Sequence, residues 1–445
     1  VTSPAPQQPD RRALDKEIFA LAVPTFATLV SEPMLLIVDS AVIGHVSTTS
    51  LAGLGVAMSV FSVVVGLSIF LAYGTTATVA RRLGAGDRAG ALAGGLDGIT
   101  LGVGIGVLAA LAVGLAAEPL VGLYRPDPAV AAEAVAYLQV VAVALPSVLV
   151  VLAATGVLRG LQDTRTPLIV AIGINLTNIV LNVTLVYGLG LGIRGAALGT
   201  VLAQTTGAVV LARVVLRGAR AEGVRWRWHP AGVLAAARTG VWLVLRTASM
   251  QVTALTTTAV ATGMGAVVLA SQQVVQSLWS LLAFALDAIA IAAQAIIGRY
   301  LGAGEGTLVR SLTRRMVGWG MLAGVVFGFV VWAASPLYVP LFSPDEAVQQ
   351  QVLRVLVVVA LITPVSGLVF VLDGVLIGAG DARYLAVASM VTTVVYVPLA
   401  VLVGWTDAGL VWLWGAMCVW MLARAVTLGL RARGERWMRL GADAL

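Results

Sequence analysis

Charge is scarce in this chain. Only 11% of its 445 residues are Asp, Glu, Lys or Arg, while 59% are hydrophobic, and the mean hydropathy is +0.98. Soluble domains carry about a quarter charged residues, so an ordinary soluble fold is excluded. Cysteine is nearly missing: Cys418 stands alone, which rules out an intrachain disulfide and any cysteine cluster for zinc or iron–sulfur. The two histidines, His45 and His229, lie far apart in sequence. No G-x-x-x-x-G-K-[ST] motif occurs, so nothing points to ATP as the energy source. Residues Gly190 to Gly195 do match G-x-G-x-x-G, but they fall in a turn between two apolar runs rather than between a strand and a helix, and a dinucleotide site is discarded. No His-rich, Ser/Lys or paired-acid set suits a membrane-embedded enzyme, so no enzymatic activity and no cofactor are expected. The first seventeen residues are polar, Pro-rich and charged and lack a compact apolar core, so no cleavable signal peptide is expected.

What is present is a series of apolar runs, each long enough to cross a ~30 Å hydrocarbon core. Read against charged or Gly/Pro breaks, they predict twelve helices over 18–44, 51–80, 93–117, 129–158, 167–187, 192–216, 233–262, 266–298, 311–333, 346–379, 383–404 and 408–430. The expected fold class is therefore an all-α polytopic membrane protein. All but four of the 28 basic residues fall at the termini or in alternate loops on one side; the exceptions are Arg125, Arg194, Arg246 and Arg354. By the positive-inside rule both termini are expected to be cytoplasmic, and the same rule explains the basic pI without a nucleic-acid partner. An internal repeat is also visible. Leu83-Gly84-Ala85-Gly86-Asp87 returns as Leu301-Gly302-Ala303-Gly304-Glu305, and Gly156 to Gly160 return as Gly374 to Gly378, both with an offset of 218 residues. Two parallel repeats of six helices are expected, as in several transporter folds: lobes 1–217 and 233–445 around a central cavity, joined by a cytoplasmic linker 218–232.

Acids inside the spans are few and informative. A charge at the bilayer centre costs about 2.5–3.5 kcal/mol on insertion scales, and such residues are usually retained for function. Asp39 lies about five residues from the outer end of helix 1. Asn178 and Asn182 on helix 5 share a face and, with Thr200 on helix 6, lie at a similar height. The plain alternative is that Asp39 only ties helices together. Glu32, Asp287, Asp373 and Gln294 form a second tier that could line the cavity or join in coupling. Asp373 is shallow enough to be solvated or paired with an arginine, and Arg246 could pair with an acid or snorkel. Pro24 removes the backbone donor to the Ala20 carbonyl, making it a candidate helix hinge.

Glu32 to His45 (EPMLLIVDSAVIGH), Ala80 to Gly86 (ARRLGAG) and Gly156 to Pro167 resemble the multidrug and toxic compound extrusion (MATE) family in its DinF-like branch. So do Asn178 to Gly199 and Leu372 to Gly378. The resemblance covers nearly the whole chain. It implies the twelve-helix, two-bundle MATE fold and alternating-access efflux of amphipathic, often cationic drugs, driven by H⁺ or Na⁺. It also implies that Asp39, Asn178, Asn182 and Thr200 form the coupling site. Where several relatives have a second aspartate this chain has Asn182, which weakens a site for a hard cation. H⁺ is therefore the expected ion, with Na⁺ at the same four residues as the alternative. The expected partners are small drugs and membrane lipids, the expected state a monomer in the inner membrane of a bacterium. A flippase for lipid-linked sugars is the runner-up. A passive channel and a membrane-embedded enzyme rank below it.

Overall fold

Within hydrocarbon every backbone N–H and C=O must be satisfied internally, so apolar runs of this length become helices. The computed structural model describes residues 11–442, without the side chains of Arg11, Ala13, Glu32 and Leu35, and its regular structure is entirely helical. Twelve long helices follow one another among the described residues. They are α1 (Arg11–Gly44), α2 (Thr48–Gly84), α3 (Arg88–Leu115), α4 (Pro128–Gly160), α5 (Arg165–Gly188), α6 (Gly192–Ala221), α7 (Pro230–Gly263), α8 (Ala266–Gly302), α9 (Gly306–Ala333), α10 (Glu346–Gly378), α11 (Ala382–Trp405) and α12 (Leu410–Arg433). Eleven of them are long and apolar enough to cross a membrane. The exception is α7, which has the length at 34 residues but carries Arg238, Arg246 and a run of threonines. The structure lengthens several helices beyond the apolar runs: α1 starts seven residues earlier than expected, because its first turns are polar. α1 continues without a break through Pro24 and Pro33.

The chain divides into two compact units, Ala27–Gly240 and the described part of Val1–Phe26 together with Val241–Leu445. The division falls inside α1, two residues after Pro24, and inside α7. In the first unit α4 is central, packed against α2, α3 and α6; in the second α10 is central, packed against α8, α9 and α12.

The offset of 218 seen in the sequence recurs in the packing. A Cβ at Gly156 would run into the Ala72 carbonyl, and a Cβ at Gly374 into the Ala290 carbonyl. The same holds for Gly102 against Leu149 and Gly320 against Gly367. The helix ends repeat as well. Gly86 and Gly304 both take φ +79°, a left-handed conformation that favours glycine, and the Asp87 and Glu305 amides close onto the Arg82 and Tyr300 carbonyls at 3.0 Å each. Each pair is one residue and its counterpart 218 positions on.

Candidate functional site

Helix α5 carries three asparagines, Asn175, Asn178 and Asn182, at spacings of three and four, so they lie on one face. That face meets α1 and α6. Asn182 Nδ2 donates to Asp39 Oδ1 at 2.6 Å and to Asn178 Oδ1 at 2.9 Å. Asn178 Nδ2 donates in turn to Thr200 Oγ1 at 3.0 Å, and Thr200 donates to the Ala196 carbonyl at 3.2 Å. Asp39 is 5% exposed and both asparagines are fully buried. The four residues singled out from sequence thus form one chain of hydrogen bonds within the unit Ala27–Gly240.

Local features hold this chain in place. Gly199 lies against Asn182, where a Cβ would collide with Oδ1. After Asn182 the backbone of α5 loosens into a π-helical turn, Thr184–Gly188, a device often found beside functional residues. From that turn the Tyr187 hydroxyl donates to the Val42 carbonyl at 2.5 Å, and one turn before the cluster Asn175 Nδ2 donates to the Ser31 carbonyl at 2.8 Å. The outer part of α1 is therefore strapped to α5 above, at and below Asp39. Three participants had escaped the sequence reading. Asn175 and Tyr187 are polar residues at helical spacing from the recognised ones. Tyr137 on α4, 1% exposed, places its hydroxyl beside Thr200 and within the field of Asp39; its one legible signal was a lone tyrosine in an otherwise aliphatic run.

The second buried carboxylate is in a different state. Asp373 on α10 is also 5% exposed, but the Arg246 guanidinium grips both its oxygens and Arg424 Nη2 donates to it at 3.0 Å. Arg424 lies 5.0 Å over the Trp420 ring. This resolves Arg246 in favour of pairing with an acid and corrects the placement of Arg424, which is buried within α12 rather than part of the solvated basic tail. The other expected residues lie apart from the Asp39 cluster's hydrogen bonds. Asp287 is half-buried on α8, Gln294 is buried on α8 and Pro24 is half-buried in α1. The side chain of Glu32 lies outside the described residues.

The repeat allows an internal comparison. Counting 218 residues on, Asp39 corresponds to Thr257, Asn178 to Tyr396 and Asn182 to Ala400. Thr257 and Tyr396 are buried and share a hydrogen bond of 2.5 Å. The strap recurs too: Thr393, the counterpart of Asn175, donates to the Ser249 carbonyl at 3.1 Å, and Ser249 is the counterpart of Ser31. The second lobe ties its corresponding helices together with neutral groups alone. A carboxylate is not needed for that task.

Comparison with known proteins agrees with this architecture. The MatE family profile matches residues 24–184 and 243–402. The chain is 30% identical over 427 residues to Protein DETOXIFICATION 44, chloroplastic, of Arabidopsis thaliana, covering 92% of this chain and 80% of that protein. It is 28% identical over 422 residues to DNA damage-inducible protein F of Escherichia coli, covering 93% and 91%. Among solved structures, a mutant of the Vibrio cholerae MATE transporter VcmN superposes with a TM-score of 0.87 at 22% identity, covering 96% of this chain and 99% of that one.

Proposed function

Because the chain belongs to the MATE family of multi-pass membrane transporters, whose members couple transport to ions, we propose that it is a secondary antiporter. It exports bulky amphipathic, often cationic compounds by alternating access, driven by proton entry through Asp39. The observation that carries this reading is the contrast between the two buried carboxylates. Asp373 neutralises two arginines, so protonating it would leave buried positive charge uncovered. Asp39 is bonded to an amide alone, so it can gain and lose a proton without stranding another charge. Its counterpart Thr257 supports the same reading, since the packing role is met there without ionisable chemistry.

The arrangement favours H⁺ over Na⁺. Asn182 uses both amide hydrogens, on Asp39 and on Asn178, which puts N–H groups where the oxygen ligands of a cation would converge. Its own Oδ1 is buried without a hydrogen-bond partner, and that is the acceptor a protonated carboxyl group requires. Na⁺ binding would require the Asn182 amide to turn over, so that Oδ1 joined Asp39, Asn178 and Thr200 as a ligand. Protonating Asp39 replaces a charge-assisted acceptor by a neutral group and weakens the middle one of three straps between α1 and α5. Release of that part of α1, with Pro24 near the point where α1 passes from one unit to the other, is the step that links the proton to the drug.

The arginine asymmetry places both termini in the cytoplasm and the protein in the inner membrane of a bacterium; its relatives include a chloroplastic plant protein. A second reading, a flippase for an anionic lipid-linked sugar, draws on the Arg246–Asp373–Arg424 cluster, which holds one positive charge in excess.

The test is drug-dye uptake in proteoliposomes under separate H⁺ and Na⁺ gradients. Uptake driven by H⁺ alone and abolished by Asp39→Asn is the expected result. Drive by Na⁺ alone would replace the proton by a metal ion. Full coupled activity in the variant would remove Asp39 from the mechanism.

A further inference from the structure

The C-terminal tail folds back onto its own unit. α12 stops at Arg433, and Trp437, 2% exposed, donates from Nε1 to the Ala432 carbonyl at 3.2 Å. The Gly441 amide donates to the Leu301 carbonyl at 3.1 Å, and Glu435 pairs with Arg310 on α9. Between this tail and the turn from α10 to α11 lies a cavity of about 510 Å³. Its charge is lopsided. Arg383, Arg431, Arg436 and Arg439 line it against one acid, Asp381. That acid is already taken, because Arg431 Nε donates to it at 2.6 Å. Arg383 lies over the Trp242 ring at 5.6 Å and Arg431 over the Tyr384 ring at 4.7 Å. A guanidinium stacked by its face keeps its N–H edge for an acceptor.

The pocket also has an apolar exit. Val387 lines it and is 45% exposed; Val391 and Val394, at 52% and 71%, continue the same face along α11. The first lobe has no equivalent. There Asp163, the counterpart of Asp381, binds the hydroxyl of its own Thr166 at 2.6 Å. Its α6 runs on as helix to Ala221, beyond the point where α12 stops. The basic pocket is thus an addition that the twofold fold does not require.

We propose that this pocket binds the phosphate-ester headgroup of an anionic membrane phospholipid, with Arg383, Arg436 and Arg439 meeting the phosphate and an acyl chain lying along Val387, Val391 and Val394. The shared chemistry with a free phosphate is the guanidinium–phosphate contact. The valine stripe is what selects the lipid, since a soluble anion has no use for it. The site lies on the arginine-rich side of the protein, where anionic headgroups gather against basic surfaces.

The test uses the full-length purified protein, with native mass spectrometry after exposure to phosphatidylglycerol or phosphatidylcholine and thermal midpoints measured in parallel. The wild type is expected to retain phosphatidylglycerol over phosphatidylcholine and to melt higher with it. Arg436→Gln with Arg439→Gln should lose both effects several-fold, whereas the control Arg225→Gln with Arg227→Gln, at exposed sites in the loop before α7, should keep them. Val387→Gln with Val391→Gln leaves the arginines intact and should weaken lipid retention by itself. Equal retention in the arginine pair and the control would overturn the proposal. So would unchanged retention in the valine pair, or displacement of the lipid by millimolar inorganic phosphate, which would make this a soluble-anion site.

Discussion

Asp39 and Asp373 are buried to the same extent, 5% each, yet substitution should affect them in opposite ways. Asp373→Asn removes the counter-charge from Arg246 and Arg424. Breaking a buried pair from one side costs of the order of 3–5 kcal/mol, so the variant should melt well below the wild type in detergent, and Asp373→Glu should recover part of the loss. Asp39→Asn removes a buried charge that no cation compensates. Its melting midpoint should equal or exceed that of the wild type, because Asn182 Nδ2 can still donate to the new amide oxygen, while H⁺-driven uptake disappears. A fall in midpoint like that of Asp373→Asn would make Asp39 a packing residue. Gly199 belongs to the same neighbourhood. In Gly199→Ala the added methyl collides with Asn182 Oδ1, displacing the residue that bonds to Asp39. Transport should drop several-fold with little loss of folded protein, and Gly199→Ala showing wild-type uptake would mean that the placement of Asn182 does not matter.

Helices were the most legible elements, because arginines, glycines and prolines punctuate the apolar runs at nearly every end. The Asp39–Asn178–Asn182–Thr200 cluster was legible for a related reason: polar groups are so rare in these spans that equal depth brings them together. Tertiary neighbours were less legible. Hydrophobic periodicity does not report that Arg424, four residues from Trp420 in a helix ending in arginines, turns inward onto Asp373. Nor does it show the π-helical turn that aims Tyr187 at α1, or the point at which α1 passes from one unit to the other. Within the second unit the inner turns of α1 are anchored by Asp15, which pairs with Arg315 and accepts from Trp319 Nε1 at 2.8 Å. The outer turns are strapped to α5. Pro24 lies between these two attachments, and a proline weakens the helix ladder where it sits. Pro24→Ala should therefore leave folding intact and slow turnover, measured as the initial rate of H⁺-driven dye uptake. An unchanged rate would remove the hinge from the mechanism and leave a static proline.

Across the whole molecule, one register of 218 residues relates helix ends, glycine crossings and α1–α5-type straps, but the ionisable groups break the symmetry. The first lobe holds a lone buried carboxylate, and the second holds Thr257 at that position. At the position of Thr155 the second lobe instead carries Asp373 with its two arginines. Among the buried acids described, therefore, only Asp39 can change charge alone, and this fixes the expected stoichiometry. If one proton enters for each drug molecule expelled, exchange of a monovalent cationic dye moves no net charge. Dye uptake in proteoliposomes should then follow the pH gradient and ignore a potential set by potassium and valinomycin. A neutral dye, exchanged against the same single proton, should respond to both. Accumulation of the monovalent dye driven by the potential alone would require a second charge to cross in each cycle. The half-buried Asp287 would be the first residue to examine as its carrier.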